Sequence, residues 1–210
     1  MKKFILIFFI TLTVCLAYAQ SNYGTEVTGE QKAALVTNIE KAHKQLTTLS
    51  ASFTQEKTSA LLTDKVVQKG TLNYKSPKQL RWEYTSPKAM TVIFSNGKVL
   101  LKTGNTTTTN SNKMLNEMGS MLINTINGSF LKENPDFSTR YYKNKSGQIV
   151  AVLTPINKKI QKYYKNIIIT LNGSTHLADK VVLNETNGDA TTIIFSDKKT
   201  NITLPDSLFK

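Results

Sequence analysis

Residue types that carry much of protein chemistry are almost missing from this 210-residue chain: it has one cysteine, Cys15, and two histidines, His43 and His176. With no second thiol there is no disulfide, and beyond Cys15 no thiol nucleophile or thiolate ligand, so stability must come from burial. Two histidines far apart in sequence do not make the usual ligand set of zinc. His43 reads as a structural surface residue at the rim of a helical stripe. His176 follows Asn172-Gly173-Ser174-Thr175 in a predicted turn, where Ser174 alone makes no nucleophile–base pair, and no nucleophile elbow is present. No glycine-rich phosphate loop joins a strand to a helix. Glu56, Glu83 and Glu185 fall on predicted strands with no signal that pairs them for glycosidic chemistry; Glu83, between Trp82 and Tyr84, is expected to face away from them and meet a cross-strand lysine. No enzymatic activity, cofactor or metal is expected.

Arginine is scarce too. Only Arg81 and Arg140 offer the planar fork that reads phosphate and guanine edges, so a nucleic-acid partner is not expected. Discounting Lys2 and Lys3, 25 basic residues stand against 14 acidic ones, a net charge of +11. Lysines such as Lys57, Lys69, Lys78 and Lys98 are spread over most segments, which reads as solvated strand faces and protected edges. Weak attraction to anionic headgroups or to an acidic partner is the functional alternative.

The N-terminus carries a plain signal. Lys2-Lys3, the apolar run from Phe4 to Leu16 and the small-x-small Ala17-Tyr18-Ala19 predict a cleavable export signal at residues 1–19, too short to span a bilayer comfortably. Leu12-Thr13-Val14-Cys15 faintly resembles a lipoprotein box, but Val14 is too bulky before the cysteine, so soluble release is expected. Residues 20–210 then make a single domain large enough to bury a core or enclose a cavity.

Residues 20–27 read as a leader. Thr28-Gly29-Glu30-Gln31 has capping-box spacing, and Leu35, Ile39, Ala42, Leu46 and Leu49 continue one helical stripe. From Ser52 the period changes to two, predicting strands at 52–58, 65–74, 79–85, 90–95 and 98–103, with Ser95-Asn96-Gly97-Lys98 the strongest tight turn. A polar, threonine-rich tract from Gly104 to Asn112 leads to a helix at 113–127 that ends at Gly128. Further strands are expected at 138–145, 147–154, 163–171, 178–186 and 190–196, with a short one near 200–204. The expected class is mainly β: about eleven antiparallel strands, one helix before the sheet and one inserted in it.

On a helical wheel Met114, Met118, Met121, Leu122, Thr125 and Ile126 share one arc of the inserted helix. Methionine specifies a rigid core poorly and repacks around varied apolar guests well. In the strands, Leu80, Trp82 and Tyr84 share one face, as do Val66, Leu72 and Tyr74, and Phe53 and Met90 can join them. An ordinary packed core accounts for the strand residues; with the methionines, a lid over an apolar hollow does so as well.

The order and spacing of Leu49-Ser50-Ala51-Ser52-Phe53-Thr54-Gln55, Gly70-Thr71-Leu72, Ser76-Pro77-Lys78-Gln79-Leu80-Arg81-Trp82-Glu83-Tyr84-Thr85-Ser86-Pro87 and Ser95-Asn96-Gly97-Lys98 resemble the periplasmic outer-membrane lipoprotein carrier family, LolA. The likeness is densest from Leu46 to Leu101, and Leu204-Pro205-Asp206 is similar to the family's final strand. The resemblance implies an incomplete, strongly curved antiparallel β-barrel with helices covering its open side. It further implies a periplasmic monomer without cofactor, whose cavity takes lipoprotein acyl chains from an inner-membrane ABC transporter and delivers them to an outer-membrane acceptor. Leu80 and Trp82 match cavity-facing positions and 113–127 the lid. The residues expected to line the site are Phe53, Leu72, Tyr74, Leu80, Trp82, Tyr84 and Met90, with Met114, Met118, Met121 and Leu122 above them. Other readings are a carrier of another lipid or apolar molecule, and an envelope scaffold with a closed core. The chain departs from the family pattern at Ser76, where an arginine commonly latches the lid and where serine lacks the five-donor fork.

Overall fold

The computed structural model describes residues 22–59, 62–95, 97–110, 113–131 and 134–210; the expected signal peptide and its cleavage site lie outside the described residues. Twelve strands are described: β1 (Thr25–Val27), β2 (Thr48–Ser59), β3 (Leu62–Lys75), β4 (Gln79–Ser86), β5 (Met90–Ser95), β6 (Lys98–Thr103), β7 (Thr106–Asn110), β8 (Phe137–Lys143), β9 (Ile149–Pro155), β10 (Tyr164–Leu171), β11 (Ala178–Glu185) and β12 (Ala190–Thr200). They form one antiparallel sheet in the order β1-β8-β9-β10-β11-β12-β2-β3-β4-β5-β6-β7. The last strand, β12, pairs with β2 near the start, so consecutive hairpins on either side join into a single wall. β1 and β7 remain unjoined edges, which leaves the curved barrel incomplete, as the family resemblance implied. Register shifts in β2, β10 and β12 supply the local bending such a wall needs.

Helix α1 (Gly29–Lys44) precedes the main run of strands, and α2 (Lys113–Ile126) lies between β7 and β8; α3 (Lys158–Gln161) is a single turn. Two apolar clusters result. Ile39, with Leu35 and Val36 of α1, packs on Ile149, Leu153, Ile167, Ile169 and Leu171 of β9 and β10. Leu122, Ile123 and Ile126 of α2 pack on aromatic residues of β2 to β5. On the opposite face, Ile93 meets Leu204 and Phe209 of the C-terminal 3-10 turn at Asp206–Phe209.

Several expectations change. The leader contributes β1, paired with Tyr141 to Lys143 of β8. The threonine tract forms β7 on β6; β-branched threonines suit an extended backbone, and an edge strand needs no apolar face. The expected strand near 200–204 does not form separately, because β12 runs on to Thr200 and Asn201 adopts a positive φ of 56°. α1 stops at Lys44, so Leu46 and Leu49, though buried, lie off the helix. Thr28 sits at the N-cap but makes no side-chain capping bond.

Candidate functional site

Alternation along β4 turns Leu80, Trp82 and Tyr84 inward, and antiparallel register places neighbours beside each. Leu80 lies between Tyr74 and Phe94, Trp82 between Leu72 and Val92, and Tyr84 between Gly70 and Met90. Phe53 of β2 pairs with Gly70. A Cβ on Gly70 would stand 2.6 Å from Phe53 Cζ and 2.0 Å from the Glu83 carbonyl oxygen, so only glycine lets this ring lie down across β3. There it stacks on Trp82, with centroids 4.1 Å apart at 30°, and meets Tyr84 edge-on at 5.4 Å. Phe195 of β12 closes on Trp82 edge-on at 6.2 Å. Such pairs contribute about 0.5–1.5 kcal/mol each beyond the area they bury.

α2 roofs this floor. Gly119 is the contact point: a Cβ there would lie 2.0 Å from Phe94 Cε1, so the helix approaches by lacking a side chain. Leu122, Ile123 and Ile126 are buried in the same cluster. Thr125, also buried, returns its hydroxyl to the Met121 carbonyl at 2.9 Å.

The structure therefore brings Phe53, Leu72, Tyr74, Leu80, Trp82, Tyr84 and Leu122 into one buried cluster, with Met90 partly buried against it. Met121 is turned toward the α1-side cluster instead. The side chains of Met114 and Met118 lie outside the described residues. Val66 does not join the floor and is 54% exposed: it pairs with Lys57 of β2, but the β3–β4 ladder reaches only to the Ser86–Lys69 pair, so this part of β3 extends past β4. Glu83 does face away from Trp82, but its partner is Arg81 on the same strand at 2.8 Å, not a cross-strand lysine.

One end of the floor is polar. Tyr84 Oη donates to Gln55 Oε1 at 3.2 Å, and Gln55 Nε2 donates to Gln68 Oε1 at 3.0 Å. Trp82 Nε1 is buried without a hydrogen-bond partner of proper geometry. It lies near enough to the Tyr84 hydroxyl to polarise it, but burial is the larger influence and pushes that phenol's pKa up. An unpaired buried N–H costs about 1–3 kcal/mol.

The expected open hollow is closed. Aromatic rings fill it, and what remains under α2 is an apolar void of ≈ 20 Å³ lined by residues including Leu49, Ala51, Leu122, Leu177 and Phe195. That holds about one water, too little for a hydrocarbon chain unless its walls rearrange. Leu49 was expected on the helical stripe instead of here, and Ala51, Leu177 and Phe195 were not singled out from sequence; the inward parity of β2 offered a signal for Ala51, but none marked Leu177.

His43 is not the surface residue expected. It is buried, with Nδ1 2.7 Å from the Ile126 carbonyl and Nε2 3.1 Å from that of His176. Its ring thus ties α1 to the end of α2 and to the β10–β11 turn, and Gly128, at φ 71°, lies against it. Both facing atoms are acceptors, so a neutral ring can donate to only one. Desolvation nevertheless dominates and lowers its pKa below 6.5. Ser76, where the family's arginine commonly stands, is occupied with donating its backbone N–H to the Thr47 carbonyl at 2.8 Å.

Comparison with known proteins agrees with this architecture. No curated protein matches the chain in sequence. Among solved structures, an uncharacterized conserved protein from Thermus thermophilus is 10% identical, with 85% of this chain and 93% of that one covered at a TM-score of 0.53. A LolA-superfamily protein from Nitrosomonas europaea is 11% identical, covering 85% and 97% at a TM-score of 0.45. Lipoprotein LppX from Mycobacterium tuberculosis is 11% identical, covering 82% and 98% at 0.44. The family model described as outer membrane lipoprotein carrier protein LolA matches residues 44–210. By that match, the chain belongs to the outer membrane lipoprotein carrier protein LolA family.

Proposed function

We propose that this protein is a periplasmic carrier that shields the acyl chains of lipoproteins and ferries them from the inner to the outer membrane. It takes them, as a monomer, from an inner-membrane ABC transporter and yields them to an outer-membrane acceptor. Members of the family are binding and carrier proteins rather than enzymes. The observation that carries the reading is an aromatic floor on β2 to β5 under a helix, α2, that belongs to no strand ladder, so the roof can lift without breaking the sheet.

Each methylene withdrawn from water is worth about 0.8 kcal/mol, so an acyl chain of roughly fifteen carbons represents on the order of 10 kcal/mol. The closed cluster competes with that gain: α2 packs on the floor when empty and on hydrocarbon when loaded, which keeps release possible. Phe53, Leu72, Tyr74, Leu80, Trp82, Tyr84, Met90 and Leu122 form the acyl-contacting surface, with Met114, Met118 and Met121 on the helix that moves.

The test is titration of the folded protein with the uncharged fluorophore N-phenyl-1-naphthylamine. A carrier binds one equivalent, loses it to a diacylated peptide and keeps it in the presence of the same peptide without chains. Fluorescence that rises only as the protein unfolds would establish a closed scaffold. Displacement by other lipids but not by the acylated peptide would replace lipoprotein with another cargo.

A further inference from the structure

We propose that the gap between β11 and β12 is the port of the apolar cavity, and that Lys198, which spans it, seats the anionic head of a single-chain amphiphile. This rests on the carrier reading and adds a head-group site and a direction of entry. The β11–β12 ladder ends at Lys180–Ile194. Beyond it each strand stays paired on its other side, Ala178 with Leu171 and Lys199 with Ser50. Both bulge at the point of parting: Asp179 is the extra residue opposite β10, and Asp197 and Lys198 face one residue of β2, with Asp197 at a φ of 51°. Paired bulges on neighbouring strands end the backbone pairing and re-aim side chains. Among the described residues, Lys198 bridges the opening, donating to the Ala178 carbonyl at 3.1 Å and to the Asp179 carboxylate.

Different surroundings meet there. Inward lies the apolar void bounded by Ala178, Phe195 and Leu177. Outward lies a polar cleft of ≈ 530 Å³ bounded by Asn172, Ser174, Thr175, Asp179 and Asn201. Leu177 and Lys198 line both, so they are the wall between them. Lysine suits such a position, having an apolar stem and a compact charge that can turn. Turned from Asp179 to a ligand's carboxylate or phosphate, the ammonium exchanges one ion pair for another while the passage opens. Asp179 keeps the bond it accepts from Gln148 Nε2 at 3.1 Å. A chain running inward from a head held at Lys198 meets Phe195 and then Trp82 behind it.

Competition against bound N-phenyl-1-naphthylamine reads the charge preference, using dodecanoate, dodecyl phosphate, methyl dodecanoate and dodecylamine below their micellar concentrations. The two anions should bind at least about tenfold more tightly than the ester and the amine, the scale of one charge-assisted hydrogen bond. Lys198→Gln should erase that preference, Lys198→Arg keep it, and Asp179→Asn strengthen it, with urea midpoints confirming that each variant is folded. The stronger of the two anions identifies the head as carboxylate or phosphate. Trp82 is the sole tryptophan and reads direction: 12-bromododecanoate should quench it strongly and 2-bromododecanoate weakly. Equal binding of acid and ester, or a preference that survives in Lys198→Gln, would overturn the head-group site while leaving the carrier intact. Equal quenching by the two bromo acids would overturn the direction of entry. Failure of all four amphiphiles and of the fluorophore to bind would remove the carrier reading itself.

Discussion

Under α1, strands β9 to β11 present Ile149, Ala151, Leu153, Ile167, Ile169, Leu171 and Val181, and the buried Tyr141 hydroxyl donates to the Leu131 carbonyl at 2.5 Å. Under α2, strands β2 to β5 present Phe53, Tyr74, Trp82, Tyr84 and Phe94, with one indole N–H unpaired and a small void left beside the helix. Among the described residues each side keeps one buried polar atom without a hydrogen-bond partner, Trp82 Nε1 under α2 and Thr139 Oγ1 beside Leu153, so the difference lies in shape: short branched residues specify one arrangement, and large rings leave others within reach. One sheet thus contains two differently packed parts, and the proposed carrier reading needs only the aromatic one to be exchanged.

The widest separation should come from paired truncations. Leu153→Ala, at a site with no exposure, should cost about 3 kcal/mol in urea unfolding. Leu122→Ala should cost clearly less and tighten fluorophore binding; equal losses without a binding change would make the two clusters equivalent. Next is Gly119→Ala, whose methyl would displace the Phe94 ring. It should lower stability by about 2 kcal/mol and hasten amide exchange in α2 while leaving β9 and β10 protected. Smaller still is a contrast of polar groups. Tyr141→Phe should cost about 1 kcal/mol by stranding a carbonyl, whereas Trp82→Phe, which removes an unpaired donor along with part of a ring, should stay within about 1 kcal/mol of the wild type.

The last concerns pH at the junction of the two parts. Burial holds the His43 imidazole below its usual 6.5. Above pH 6.5 neither the folded nor the unfolded chain protonates it, and its contribution is fully present. As pH falls below 6.5 the unfolded chain binds a proton that the folded chain refuses, so stability declines until the lowered folded pKa is passed. Urea stability measured from pH 7.5 to 5 should show this fall in the wild type and a shallower one in His43→Gln; identical slopes would dismiss the histidine as its source.

Much of this was legible in the residues. Period-two alternation placed Leu80, Trp82 and Tyr84 on one face, and Gly97 and Gly128 marked the ends of β5 and α2, because parity and positive φ are local properties. His43 was misjudged because the carbonyls that hold it lie 83 and 133 residues away. Threonines 106 to 109 looked like a linker because an edge strand carries no inward apolar pattern. Alternation names a face but not a volume, so it gave no sign that the rings would fill their own hollow. The bulges at Asp179 and Lys198 left no pattern either, since both strands read as regular up to the residues where they part.

The chain leaves the sheet at β7, one free margin, and re-enters at β8, next to the other, with α2 in between. That helix is therefore a tether across the unsealed seam as well as a cover. On the proposed carrier reading, spreading the margins for a thicker guest draws on the same length of chain that must slacken for the cover to rise, so girth and access compete.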